Sequence, residues 1–173
     1  MISVQEAIRL LRKYSNDENS YQKVLNHVKA VQKVALRIAS KIPGIDIEKL
    51  KIACLLHDIG RFKATGKDSI RHGILGGEIL RNENLEEFAR FAECHIGVGI
   101  TKEDIIKQKL NLPEKDFIPK TREEKILAHA DNLIFGDREG SLQEVIERYK
   151  KELGEAYVDR IKKLKKDIDE MFI

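Results

Sequence analysis

Four histidines and two aspartates carry the chemistry this sequence offers: His27, His57, Asp58, His72, His95 and Asp131. Imidazole with carboxylate ligation suits iron, manganese, cobalt, nickel or zinc better than magnesium or calcium. What sets these six apart is where they fall. Residues three, four and seven apart share a helix face, and the face reading Val24, Val28, Val31, Val34, Ala35 and Ile38 also contains His27. His57 and Asp58 close an apolar run from Ile52 to Leu56, with Gly60 placed to terminate that helix. His72 opens a stripe continued by Leu75, Gly76 and Ile79, while Leu85, Phe88 and Ala92 lead to His95. Asp131 flanks Leu127, Ala130 and Ile134. Each residue alone has an ordinary reading, as a hydrogen-bonded core histidine or an aspartate held by a backbone amide or an arginine. Taken together they ask for a common counter-charge. Burying an ionised carboxylate without a partner costs several kcal/mol, this pattern does so at Asp58 and Asp131, and a divalent cation would supply the charge. Periodicity by itself does not bring the six to one point. The fifth histidine, His129, shares a face with Lys125 and Asn132 opposite the stripe. It reads as a surface or supporting residue, not a ligand.

The elements that must position these groups are helices. Capping-box pairs mark helix starts at Ser3–Glu6, Thr101–Asp104, Thr121–Glu124 and Ser141–Glu144. Asp46 and Ser20 are further caps. The periodicity predicts helices near 3–14, 20–41, 47–58, 72–82, 85–95, 102–110, 122–135, 141–153 and 155–171, with no convincing strand. Pro43, Pro113 and Pro119 fall between them, as helix breakers should. The expected fold is therefore all-α: a single helical domain over 1–173, of about seven to nine helices. Residues 154–173 form a last helix docked on that domain or on a partner chain, so a homo-oligomer is open. That helix has Val158, Ile161, Leu164, Ile168 and Met171 along one side, and Lys162, Lys163, Lys165 and Lys166 read as its solvated face.

Composition narrows the class. A hydrophobic share of 42% with 35% charged residues describes a folded globule, and no apolar run approaches the ~20 residues that span a bilayer. A net charge of +3 is too small to argue for nucleic acid. Cys54 and Cys94 lack CxxC spacing and read as reduced thiols of a cytoplasmic protein.

With these residues assembled, the chain resembles the HD phosphohydrolase superfamily: a histidine on one helix (His27), an HD pair ending another (Leu55-Leu56-His57-Asp58-Ile59-Gly60) and a later aspartate (Asp131, in Leu127-Ala128-His129-Ala130-Asp131). It is similar to the subset with two extra histidines, through His72-Gly73-Ile74-Leu75-Gly76, Glu93-Cys94-His95-Ile96-Gly97, and Ala130-Asp131 followed by Arg138. That subset includes bacterial diadenosine tetraphosphate hydrolases, which carry a dinuclear iron site, and an archaeal group of HDIG proteins. The resemblance implies one or two divalent metal ions. His27, His57, Asp58 and Asp131 would hold the first and His72 with His95 the second. Asp58 would bridge them and so be the catalytic residue.

The implied reaction is hydrolysis of a phosphoester or phosphoanhydride of a small, nucleotide-like phosphorylated molecule by metal-activated water. Arg61, Lys63, Lys67, Arg71 and Arg138 would receive phosphate charge, although Lys63 and Lys67 read equally well as solvated surface. Arg61 departs from the lysine many members carry after HDIG. The GYP signature of cyclic-di-GMP phosphodiesterases is absent, and segment 98–120 is longer than in the dinucleotide hydrolases. Nucleoside monophosphates, dinucleoside polyphosphates and cyclic nucleotides all remain open as substrates. So do a regulatory domain that binds metal and nucleotide without turnover, a di-iron oxygenase on the same scaffold (as an inositol oxygenase shares this ligand set), and a plain helical protein.

Overall fold

Helix starts follow the capping chemistry. In a computed structural model that describes residues 2–172, apart from the side chain of Lys67, Ser3 caps α1 (Val4–Tyr14) and Thr101 caps α6 (Lys102–Gln108). Thr121 caps α7 (Arg122–Asn132) and Ser141 caps α8 (Leu142–Leu153). Each cap is a reciprocal box with the acid three residues on and contributes about 1 kcal/mol. Asp46 caps α3 (Ile47–Leu56). One start differs from expectation: α2 (Glu18–Ala39) is capped by Asp17, and Ser20 is the third residue that returns the bond to the cap backbone. The remaining helices are α4 (His72–Asn82), α5 (Glu86–Cys94) and α9 (Glu155–Asp169).

Burial explains the arrangement. Leu50, Ile52, Ala53, Cys54, Leu55 and Leu56 are all buried, so the C-terminal part of α3 has no wet face, and the helix packs against α1, α2, α5 and α7. Burying one such Leu or Ile side chain is worth about 1.5–3 kcal/mol. The valine stripe of α2 (Val24, Val28, Val31, Val34) packs inward against α3 and α7. Helices α4 and α5 form an antiparallel pair, brought together at Gly73, where a Cβ would lie 2.7 Å from the Ala92 carbonyl oxygen. A second cluster, Val98, Ala128, Val145, Tyr149, Ile161 and Leu164, fastens α8 and α9 to the outer side of α7.

The fold is all-α, as expected, with one small exception. Ile134–Phe135 (β1) pairs antiparallel with Arg138–Glu139 (β2), in register Ile134 to Glu139 and Phe135 to Arg138. An isolated bridge joins Ile100 to Phe117. Two-residue strands are too short to show an alternating pattern, and the hairpin ends α7 at Asn132 instead of 135. Between α3 and α4 lie two 3-10 turns, Ile59–Phe62 and Gly66–Arg71. Among the described residues no helix is long and apolar enough to cross a membrane.

Candidate metal centre

Three of the candidate histidines sit at helix ends, and local geometry explains why. The last carbonyls of a helix have no amide to accept from. His57 is the C-cap of α3 and His95 the C-cap of α5. Each ring donates Nδ1–H to the carbonyl three residues back, His57 to Cys54 at 2.7 Å and His95 to Ala92 at 2.7 Å. His72, closing the turn Gly66–Arg71, does the same to Ser69 at 2.7 Å. His27 lies mid-helix and donates Nδ1–H to the Gly136 carbonyl in the β1–β2 turn, also at 2.7 Å. A carbonyl can only accept, so Nδ1 carries a proton in all four, and every Nε2 is turned inward. A hydrogen bond on the other ring nitrogen is how proteins orient and tune a metal-binding histidine.

The two carboxylates complete the cluster. Asp58, one residue past the α3 cap, is fully buried. Its Oδ2 lies 3.2 Å from His27 Nε2 and 3.7 Å from His57 Nε2. Its Oδ1 lies 3.5 Å from His72 Nε2 and 3.3 Å from His95 Nε2. Asp131, near the end of α7, reaches His27 Nε2 at 2.9 Å and His57 Nε2 at 3.6 Å. Donor atoms of three sets, His27/His57/Asp58, His57/His95/Asp131 and Asp58/His72/His95, each lie within 4.8 Å of one another. All six side chains singled out by their spacing are thus brought together.

A cation fits this arrangement on two observations. His57 Nε2 and Asp58 Oδ1 are buried with no hydrogen-bond partner, although buried polar atoms are almost always paired. His72 Nε2 and His95 Nε2 stand 3.0 Å apart, so with both protons on Nδ1 two lone pairs face each other. Burial pushes the His72 pKa down to about 4, against the pull of Asp58, which leaves that ring neutral at neutral pH. Burial works against charge on Asp58, yet His57, His95, Arg61 and His72 hold its carboxyl well below the ordinary range. Burial likewise opposes charge on Asp131, and His27 and His57 bring its pKa down regardless. His27 moves the other way: despite burial, the bond and charge of Asp131, then Asp58, raise it to about 9.

The cationic residues divide. Arg61 stands over the cluster, its Nε 2.5 Å from Asp58 Oδ2, and lines the clefts beside it. Lys63 lies instead over the Tyr14 ring, 5.4 Å from its centroid, on the α1 side. Arg138 pairs with Glu144 at 2.9 Å and is not among the residues lining those clefts. Arg71 is half-buried in its turn and likewise absent from that lining. The side chain of Lys67 lies outside the described part of the chain. Periodicity missed Arg148, Lys23 and Asn26, which line the cleft with His27 and Asp58. The stacked pair Phe135 and Arg148 was legible only as two residues thirteen apart. Of the two readings of His129, the surface one falls: it is 4% exposed, because α9 covers that face of α7, and burial first, then Lys165, takes its pKa down to about 4.

A family model described as HD domain matches residues 24–136. The chain is 46% identical over 138 residues to an uncharacterised protein of Methanocaldococcus jannaschii, covering 77% of this chain and 79% of that one. It is 44% identical over 153 residues to a tRNA (cytidine(56)-2'-O)-methyltransferase of Picrophilus torridus. That match takes in 87% of this chain but 43% of the relative, so the chain spans less than half of that protein. In structure it is similar to the HD domain of the L. monocytogenes phosphodiesterase PgpH, with a TM-score of 0.58 and 18% identity over 96% of this chain and 86% of that one. The PgpH domain has also been solved in complex with cyclic-di-AMP. With its His57-Asp58-Ile59-Gly60 motif inside the matched span, this chain belongs to the HD-domain family, in the HDIG subset.

Proposed function

We propose that this protein is a metal-dependent phosphohydrolase cleaving a phosphoester or phosphoanhydride bond of a nucleotide-like ligand. The observation that carries the reading is the unpartnered, inward-facing set His57 Nε2 and Asp58 Oδ1, beside the opposed Nε2 atoms of His72 and His95. On this reading His27, His57, Asp58 and Asp131 would hold one divalent ion, and His72 and His95, together with Asp58, would hold a second. Bound ions of this kind neutralise phosphate charge and bring the pKa of water from 15.7 toward about 7.

The protein's own part is positional. Four Nδ1–H bonds to backbone carbonyls fix the imidazoles, so little reorganisation accompanies ligand binding. Arg61 helps keep Asp58 ionised and lines the cleft, where its remaining N–H groups would donate to a phosphate oxygen. The cleft of about 730 Å³ beside the cluster is of the size that takes a small ligand. Nucleotides lead the substrate class because the similar PgpH domain is a phosphodiesterase solved with cyclic-di-AMP.

The test is metal analysis of protein purified without chelator, with iron-, manganese-, cobalt- and nickel-loaded protein assayed on mononucleotides, dinucleoside polyphosphates and cyclic nucleotides. The expected result is stoichiometric metal and turnover of at least one class, both lost in the double variant His57→Ala, Asp58→Ala. Metal content and hydrolysis that survive in that variant overturn the assignment.

A further inference from the structure

The guanidinium of Arg148 is a charge near the centre that neither fold nor metal cluster accounts for. It rises from the middle of α8 and is half-buried. Its Cζ lies 4.6 Å from the Phe135 ring centroid and 5.0 Å from that of Tyr149. Its hydrogen bond to protein is a long one, 3.4 Å from Nη2 to the Asn132 carbonyl. Several other arginines have a carboxylate: Arg61 has Asp58, Arg90 has Glu124, Arg138 has Glu144 and Arg160 has Asp104, whereas Arg9, Arg71 and Arg122, without an ion pair among the described residues, line neither cleft at the cluster. Among the described residues Arg148 forms no such ion pair, even though Glu152, one turn further along α8, lines the same cleft. An arginine that gives up much of its hydration without a counter-charge is poised for an anion that comes from outside.

Its position says which anion. Arg148 lines the cleft that holds Lys23, Arg61 and Phe135 and also the one that holds His72, His95 and Asp131. Arg61 lines both from a different element, the turn after α3. The two arginines therefore border the same clefts from separate elements, and Arg61 is already committed to the metal-side carboxylate. The rings of Phe135 and Tyr149 restrict the Arg148 plane, so its planar fork meets a phosphate with less ordering entropy than a free side chain. Resting on the phosphohydrolase reading, we propose that Arg148 clamps a second phosphate of the substrate, one not attached to the bond being cut. The preferred ligand then carries two phosphates, either adjacent, as in a diphosphate, or separated by a ribose, as in a dinucleotide.

Calorimetry on manganese-loaded protein tests this with three probes that resist hydrolysis. Orthophosphate carries one group, imidodiphosphate two adjacent groups, and a 5'-phosphorylated dinucleotide with a phosphorothioate linkage two groups across a ribose. The expected result is that wild type binds one of the two-phosphate probes at least about tenfold more tightly than orthophosphate, as one charge-assisted hydrogen-bonding group allows. Arg148→Gln removes that margin and leaves orthophosphate binding unchanged, while Arg148→Lys retains part of it. Lys150→Gln, which removes an equal charge from the exposed side of the same helix, keeps the margin. Whichever two-phosphate probe loses affinity identifies the spacing. If Arg148→Gln fails to fold by circular dichroism, the partial loss in Arg148→Lys decides. A margin unchanged in both variants, or orthophosphate weakened as much as the larger probes, overturns the clamp and leaves the phosphohydrolase reading standing. Loaded wild type that binds none of the three overturns both.

Discussion

Replacing Gly60 by alanine is the smallest change expected to damage the centre without touching a ligand. A Cβ at that position would lie 1.9 Å from the His72 carbonyl oxygen and 2.4 Å from the Gly76 amide nitrogen, where ordinary contact begins at 3.4 Å. Both clashing atoms are backbone, so no side chain can swing away. The turn Ile59–Phe62 and the first turn of α4 would have to separate by about 1 Å or more, since the methyl cannot be accommodated in a close-packed interior. That motion moves His72 away from Asp58, whose facing atoms are 3.5 Å apart. Overpacking of this kind costs typically 1–3 kcal/mol and more where the neighbours are rigid, so about 3 kcal/mol is expected for Gly60→Ala. Gly66→Ala is the control. Its φ is +54° with no atom within 4 Å, so it suffers only the left-handed penalty of about 1 kcal/mol. Guanidinium unfolding measures both, and metal analysis should find Gly60→Ala short of metal while Gly66→Ala keeps it. Gly60→Ala within about 1 kcal/mol of wild type, with full metal content, would show that the close approach of the two backbones does not constrain this site.

Three further outcomes follow from the same geometry. Because the His27 pKa is raised to about 9, its ion pair with Asp131 contributes stability to metal-free protein that is complete below pH 6.5 and lost as pH rises through 9. A metal ion must displace that proton, so metal affinity should strengthen over the same window, with about one proton released per ion at His27; calorimetry in buffers of different ionisation enthalpy counts it, and affinity flat from pH 6.5 to 9 would contradict the assignment. Arg90→Met should destabilise the fold by about 2 kcal/mol, because the carboxylate of Glu124, 3% exposed, would keep only the bonds it accepts from the Lys120 and Thr121 amides; thermal unfolding reads the loss. Tyr149→Phe should lower stability by about 1–2 kcal/mol, since it strands the buried Asn132 Oδ1 that now accepts from the Tyr149 hydroxyl at 2.7 Å, and an unchanged midpoint in denaturant would refute that bond.

Much of the local architecture was open to inspection in the primary sequence. Helix starts depend on a residue and the acid three positions on, so Ser3, Thr101, Thr121 and Ser141 announced themselves, and the apolar stripe of α2 is a matter of spacing alone. The six candidate ligands could be named because histidine and aspartate on oily faces are chemically out of place. Their convergence could not. His27 meets Asp131 across 104 positions of chain, a contact set by how α2 and α7 pack and not by any periodicity.

The same limit explains the errors. Gly60 looked like a helix terminator, whereas its work is to let two backbones touch at positions 60 and 72. His129 was open to two readings, surface or supporting, because only the docking of α9 buries it. Arg138, read as a phosphate ligand, pairs with Glu144 instead, while Arg148, unremarkable in sequence, stands in the cleft because the β1–β2 hairpin sets Phe135 against it. Side-chain identity and short-range spacing are written residue by residue, but which wall a cation lines is a property of helices meeting in space, and that information exists only once the core has closed.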